Sequence, residues 1–149
     1  MPEKETLRRA REDKRKGKAP STQAGEFVRE EIEHIREGKH GARSTKQAIA
    51  IGLSKARRAG VKLSAPAKGE ASERTRRSAR QALAAGKRKT NPSSKRSRAA
   101  EKALRGEGHA AGSRRALSRQ AHTAARKRSA AQRSASARKA ARTRAHEHA

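Results

Sequence analysis

The chain has 149 residues and a formal net charge of +27, with 41 Lys and Arg against 14 Asp and Glu. Only 31% of residues are hydrophobic, most of them alanine, and the 14 large apolar side chains are too few for one core spanning the chain. This balance points to polyanion binders and disordered basic proteins; it excludes membrane spans, since no apolar run approaches ~18 residues, and the lack of Cys excludes disulfides, a thiol nucleophile and a cysteine zinc site.

Residues 1–20 read as a mixed-charge flexible arm, disordered or loosely helical. Leu7 is its only large aliphatic side chain after Met1, and GKAP at 17–20 is a breaker. The opening MPEKETLRRAREDKRKGK lacks the apolar stretch of a signal peptide. Residues 1–37 are almost neutral, with ten Lys/Arg and nine Asp/Glu, so nearly all the net charge lies in residues 38–149.

Residues 21–63 read as an αα-hairpin. Nine of the 14 large apolar residues fall within 27–63, so any packed core belongs there, near the ~40-residue lower limit for folding alone. The first helix spans 21–37, with Ser21 or Thr22 as N-cap. Ala24, Val28, Ile32 and Ile35, with Phe27 beside them, form an apolar stripe at helical period, and Gly38 is the stop. The loop KHGAR follows. The second helix spans 44–60: Ser44 and Gln47 match a capping box, Ile49, Leu53 and Ala56 share a face, and Lys55, Arg57 and Arg58 suit the C-terminal dipole. Gly60 closes it, with Val61 making the contact that follows, and Pro66 ends the unit.

Residues 64–149 read as an Ala/Arg/Lys/Ser-rich basic tail. SERTRRSARQALAAG at 72–86, SSKRSRAAEKALRGEG at 93–108 and SRRALSRQAHTAARKRS at 113–129 echo one another too loosely for a solenoid, and one Leu per unit offers no face to stack. Ala and Arg favour helix, but like charges at i, i+4 oppose it. The expectation is a largely disordered tail that becomes helical on binding. The predicted fold class is therefore mainly α: a small αα-hairpin with a long, largely disordered basic tail.

The stretch REEIEHIREGKHGARSTKQAIAIGLSKARRAGVKL, followed by the Lys/Arg/Ala/Ser tail, resembles a family of small basic bacterial proteins of unknown function, often labelled DNA-binding. The KQAIAIGLS core is similar to a short segment of other small bacterial and phage proteins. The resemblance covers 21–63 closely and the whole chain loosely. It implies an uncharacterised fold and no catalytic residue. The tail is similar in composition to linker-histone and bacterial histone-like tails.

The cationic tail carries the functional signal. Residues 68–149 hold 24 Lys/Arg against five Glu. Each cation that neutralises a phosphate releases a condensed counterion, so affinity grows with contact number and falls with salt. The candidate nucleic-acid-binding residues are Arg57 and Arg58 at the end of the hairpin, then Arg76, Arg77, Lys87, Arg88, Lys89, Lys95 and Arg96. Further along they are Arg114, Arg115, Arg126, Lys127, Arg128, Arg138, Lys139, Arg142 and Arg144. Phe27 is the one aromatic ring apart from histidines, so there is no platform for stacking bases, which favours duplex DNA over single strands. Arginine-rich segments also bind structured RNA.

Other patterns have plainer explanations. Thr45, Lys46 and Gln47 could open a groove-reading helix of a helix-turn-helix, but the loop is long, no third helix is evident, and a packing unit explains the hairpin as well. Glu30, Glu31, Glu33 and Glu37 read as solvated helix positions, or as an internal decoy for the tail. His34, His40, His109, His122, His146 and His148 are scattered, so no specific metal site is expected, although His146-Glu147-His148 could touch an ion. Ser78, Ser97 and Ser129 match basophilic kinase targets at chance level.

The function expected from sequence is sequence-independent binding and compaction of double-stranded DNA by a cytoplasmic, histone-like nucleoid-associated protein. It is not an enzyme, uses no cofactor or membrane, and could dimerise through the hairpin. The alternatives are an RNA- or ribosome-associated basic factor, and a stress or structural protein whose hairpin binds a protein partner.

Overall fold

The computed structural model describes residues 1–148. It holds seven α-helices in those residues: α1 (Lys4–Arg15), α2 (Pro20–Arg36), α3 (Thr45–Arg58), α4 (Glu73–Arg88), α5 (Ser94–Arg105), α6 (Arg114–Arg126) and α7 (Ala130–Glu147), with a 3₁₀ turn at Ala110–Gly112. The chain forms two units, Met1–Ser113 and the segment from Arg114 onward.

The αα-hairpin is present as α2 and α3, but the long disordered tail is not. Residues 64–148 contain four α-helices, and α4 packs against α3 as α1 packs against α2. Over the described residues the chain is an ordered all-α protein. Three features outweigh the like-charge repulsion. Ser72, Ser93 and Ser129 each accept a hydrogen bond from the backbone N–H three residues on, and Ser129 forms a complete capping box with Gln132. Glu73 pairs with Arg76 and Arg80, and Glu101 with Arg105. Alanine supplies helix propensity throughout.

Alanine also supplies the core. Ala10, Ala24, Phe27, Ala56 and Val61 form a buried cluster, with Leu7, Leu53 and Leu63 packed on it. Ala79 and Ala82 bury the inner face of α4. Where helices cross most closely the residue is glycine: a Cβ on Gly52 would lie 2.7 Å from the Val28 Cα, and one on Gly86 would lie 2.1 Å from the Arg57 carbonyl oxygen. Close approach of backbones therefore replaces bulky side chains, and a count of large apolar residues underestimates what this unit buries.

The arm is structured too. In α1, Thr6, Ala10 and Asp13 are buried, and Lys18 reaches Asp13 at 3.0 Å. α2 begins at Pro20 with Ala19 as N-cap, so Ser21 and Thr22 lie inside its first turn. Proline's fixed φ and missing N–H suit the first helical position. Gly38 and Gly60 close α2 and α3 with positive φ. In each case the two residues after the cap bond back to the last turn, Gly38 and Lys39 to Ile35 and His34, Gly60 and Val61 to Arg57 and Ala56. Gln47 departs from the expected box: Ser44 accepts from its N–H, but its side chain takes the N–H of Arg43 rather than that of Ser44.

The end of α5 and the segment after it seal the α2–α3 hinge. Gly41 and Ala42 donate to the carbonyls of Leu104 and Gly108, Thr45 Oγ1 donates to Ala111 O at 2.7 Å, and Arg36 Nε donates to Gly112 O at 2.7 Å. Residues more than 60 positions apart thus fix the loop that carries His40.

Candidate functional site

Two features carry chemistry: cations arrayed on the outer faces of helices, and a carboxylate–imidazole cluster at the α2–α3 hinge.

On α4 the inner arc holds Ala79, Ala82 and Gly86, and the opposite arc carries Arg74, Arg77, Arg80, Lys87 and Arg88, all exposed. On α5, Lys95, Arg98, Lys102 and Arg105 recur at i, i+3, i+7 and i+10. On α6, Arg115, Arg119 and Arg126 share one face with His122. On α1, Lys4, Arg8, Arg11 and Arg15 recur at i, i+4, i+7 and i+11, with Lys14 beside them, all exposed. At 1.5 Å of rise per residue, such stripes present a cation roughly every 5–6 Å along the axis. α7 carries Arg133, Arg138, Lys139, Arg142 and Arg144 on a helix with no buried residue.

Most of the sequence-derived candidates are exposed: Arg58, Arg77, Lys87, Arg88, Lys89, Lys95, Arg96, Arg114, Arg115, Arg126, Lys127, Arg128, Arg138, Lys139, Arg142 and Arg144. Two are diverted. Arg57 is 6% exposed and donates to the carbonyls of Leu63 and Ser64 at 3.0 and 2.9 Å. Burial lowers its pKa, and the guanidinium stays charged as an internal strap on the α3–α4 connection. Arg57 thus lies inside the fold rather than on its surface with the other candidates. Arg76 is partly covered, tied to Pro66 O and Glu73. Arg74, Arg80, Arg98, Lys102, Arg105, Arg119 and Arg133, and the stripe on α1, were not among the candidates. Except at Arg133, their signal is the i, i+3 or i, i+4 spacing of cations, which adjacent doublets and triplets conceal.

Carboxylates temper these faces locally. Arg80, by hydrogen bond, and then the nearby charge of Arg76 hold the Glu73 carboxyl below its ordinary value. The hydrogen bond from Arg8 does the same for Glu5.

The hinge cluster overturns the solvated reading of two glutamates. Glu30 and Glu31 are 2% and 1% exposed, because α2 is covered on one side by α1 and on the other by α3. Glu30 Oε2 accepts from the Glu3 N–H at 3.1 Å. Glu31 Oε1 accepts from Lys55 Nζ of α3, while Glu31 Oε2 has no hydrogen-bond partner, with His40 Nε2 3.3 Å away. His34 Nε2 meets Glu3 Oε1 at 2.9 Å, and the His34 and His40 rings meet edge to face at 5.8 Å. Ligand atoms of Glu31, His34 and His40 all lie within 4.8 Å of one another. The fold thus gathers side chains that look scattered in sequence.

The start of α3 is unsuited to reading bases. Thr45 is buried and bonded to Ala111, Gln47 is committed to Arg43, and only Lys46 of the three is exposed.

Residues 11–68 match the model of a family of unknown function (DUF6496), to which this part of the chain is similar. No curated protein and no solved structure matches the chain. Among the described residues no helix is long and apolar enough to cross a membrane.

Proposed function

We propose that the protein binds double-stranded DNA through its phosphate backbone, without reading sequence, and compacts it in the manner of a nucleoid-associated protein. The observation that carries this reading is the set of exposed cationic stripes at helical period on α1, α4, α5 and α6. Several such faces on one chain let it engage more than one stretch of duplex, which is the requirement for compaction. Phe27, the one aromatic side chain of the Phe, Tyr and Trp class, is 1% exposed and so gives bases no platform to stack on. The committed polar groups at the start of α3 favour backbone contact over groove reading. Among the described residues Met1 is the exposed large hydrophobic, so this reading needs no homodimer through the hairpin.

The test is duplex affinity as a function of salt for the full chain and for a variant with Arg74, Arg77, Arg80 and Arg88 changed to Gln. Log affinity should fall linearly with log salt, and the variant should lose about 0.9 of slope for each phosphate contact removed. An unchanged slope, or one duplex preferred ~1,000-fold or more over unrelated duplexes, would overturn the reading. Structured RNA outcompeting duplex DNA at equal charge would transfer the proposal to RNA.

A further inference from the structure

We propose that Glu31, His34 and His40 form a binding site for a divalent first-row transition metal, at the hinge between α2 and α3. The site is separate from the cationic faces and does not depend on what they bind.

The argument starts from helix geometry. Glu31 and His34 stand three residues apart on α2, so both project from one face. His40 comes from the loop after Gly38, whose positive φ turns the chain back toward α2. The loop is held from outside: the Gly41 N–H donates to Leu104 O at 2.8 Å, and a Cβ at Gly41 would stand 2.1 Å from Glu107 O. His40 therefore sits on a braced loop, and its place against α2 is set by contacts distant in sequence.

The second step is the hydrogen-bond inventory. His40 Nδ1 lies 2.9 Å from Gly41 O. A carbonyl only accepts, so Nδ1 must donate, and in the neutral ring Nε2 is then a lone pair. Nε2 lies 3.3 Å from Glu31 Oε2, and Glu31 Oε2 is itself buried with no donor. A buried carboxylate oxygen without a donor, beside a ring nitrogen left as an acceptor, suits a metal ion that both can ligate. The 3.3 Å spacing is about that of two ligand atoms on a tetrahedral ion with bonds of ~2.0–2.1 Å.

The third step is the outer shell. Ligating histidines commonly give a ring nitrogen to a carboxylate or a backbone carbonyl, which fixes the ring. Here Glu3 takes His34 and Gly41 O takes His40. Two imidazoles and one carboxylate, without thiolate, suit zinc and its first-row neighbours better than Mg²⁺ or Ca²⁺. Three protein ligands leave a position for water. Lys55 is the internal competitor, since its ammonium occupies Glu31 Oε1 when no ion does.

The experiment uses the full chain, stripped of metal and titrated with Zn²⁺ by calorimetry, with Co²⁺ absorption and thermal melting in parallel. The expected result is one saturable site per chain, a visible Co²⁺ band of a low-symmetry site, and a rise in melting temperature with metal. His34→Gln and His40→Gln should each weaken binding by more than the roughly 10–100-fold that outer-shell changes cost. A variant with His146→Ala and His148→Ala should retain the site. Lys55→Met should be less stable without metal and gain more from Zn²⁺ than the parent, which keeps the test informative if His40→Gln fails to fold. No saturable uptake, uptake unchanged in a folded His34→Gln, or uptake lost with His146 and His148 would each overturn the proposal.

Discussion

Alanine at position 86 would add one methyl group to α4 where an ideal Cβ stands 2.1 Å from the Arg57 carbonyl oxygen and 3.4 Å from that of Arg58. The oxygen would have to retreat from 2.1 Å to at least 3.4 Å to reach ordinary contact, and it belongs to the last turn of α3, which the Arg57 guanidinium straps to Leu63 and Ser64. The two helices must therefore part, loosening the buried contacts of Ala79 and Ala82. Helix propensity alone favours Ala over Gly by about 1 kcal/mol, while overpacking typically costs ~1–3 kcal/mol, with backbone contacts at the upper end. The net expectation is destabilisation by about 1–2 kcal/mol. At roughly 4 °C per kcal/mol for a unit of this size, the midpoint should fall by ~4–8 °C. Gly25 in α2 is the control, because a Cβ there meets nothing within 4 Å, and Gly25→Ala should stabilise by ~0.5–1 kcal/mol. Urea and thermal melts followed by far-UV circular dichroism read both variants. If Gly86→Ala stabilises as Gly25→Ala does, α4 does not pack on α3 and the first unit ends before residue 72.

Phe27→Ala should cost ~3–5 kcal/mol, since the ring is fully buried among Ala10, Ala24 and Ala56, and the same melts measure it. Arg57→Gln should lower stability by about 1.5–3 kcal/mol, through its lost hydrogen bonds to Leu63 and Ser64, yet leave the salt slope of DNA binding unchanged; a shallower slope would return Arg57 to the interface. The Glu73 carboxyl should titrate below its ordinary value by NMR, held there by Arg80 and then Arg76. Because its folded pKa is the lower one, its contribution to stability is present above its unfolded pKa and fades as pH falls through the folded value; a midpoint at or above that of an unpaired glutamate would show that these pairs do not persist in solution.

The hairpin was legible because its signals are local. Ser44 and Gly60 bracket α3 by cap chemistry that involves neighbours only, and Gly38 ends α2 in the same way. What escaped depends on partners far along the chain. Glu30 and Glu31 look like solvated positions until α1 and α3 cover both sides of α2. His34 and His40 meet only because Gly38 turns the loop and the segment 104–112 clamps it. Gly86 resembles the end of a tail repeat, whereas it marks the crossing of α4 with α3. Large apolar residues are a poor measure of order here: α4 packs through alanine and glycine at short interhelical range, while α5, α6 and α7 bury no residue and rest on local helix signals.

The same substitution of alanine for bulk lets one short helix serve two purposes. In α4 the arc that holds the fold carries Ala79, Ala82 and Gly86, and the arc that faces solvent carries Arg74, Arg77, Arg80 and Arg88. Small residues suffice on the first arc because the backbones approach closely, so long basic side chains can fill the second without entering the core. Charge on the outer arc raises the self-repulsion of the folded unit, which counterions or phosphate relieve. Folding and binding should therefore separate cleanly by mutation: changes on the inner arc alter the melting midpoint, and changes on the outer arc alter the salt slope. They should also couple through ionic strength in opposite directions, since added salt screens repulsion in the free protein and weakens its hold on DNA.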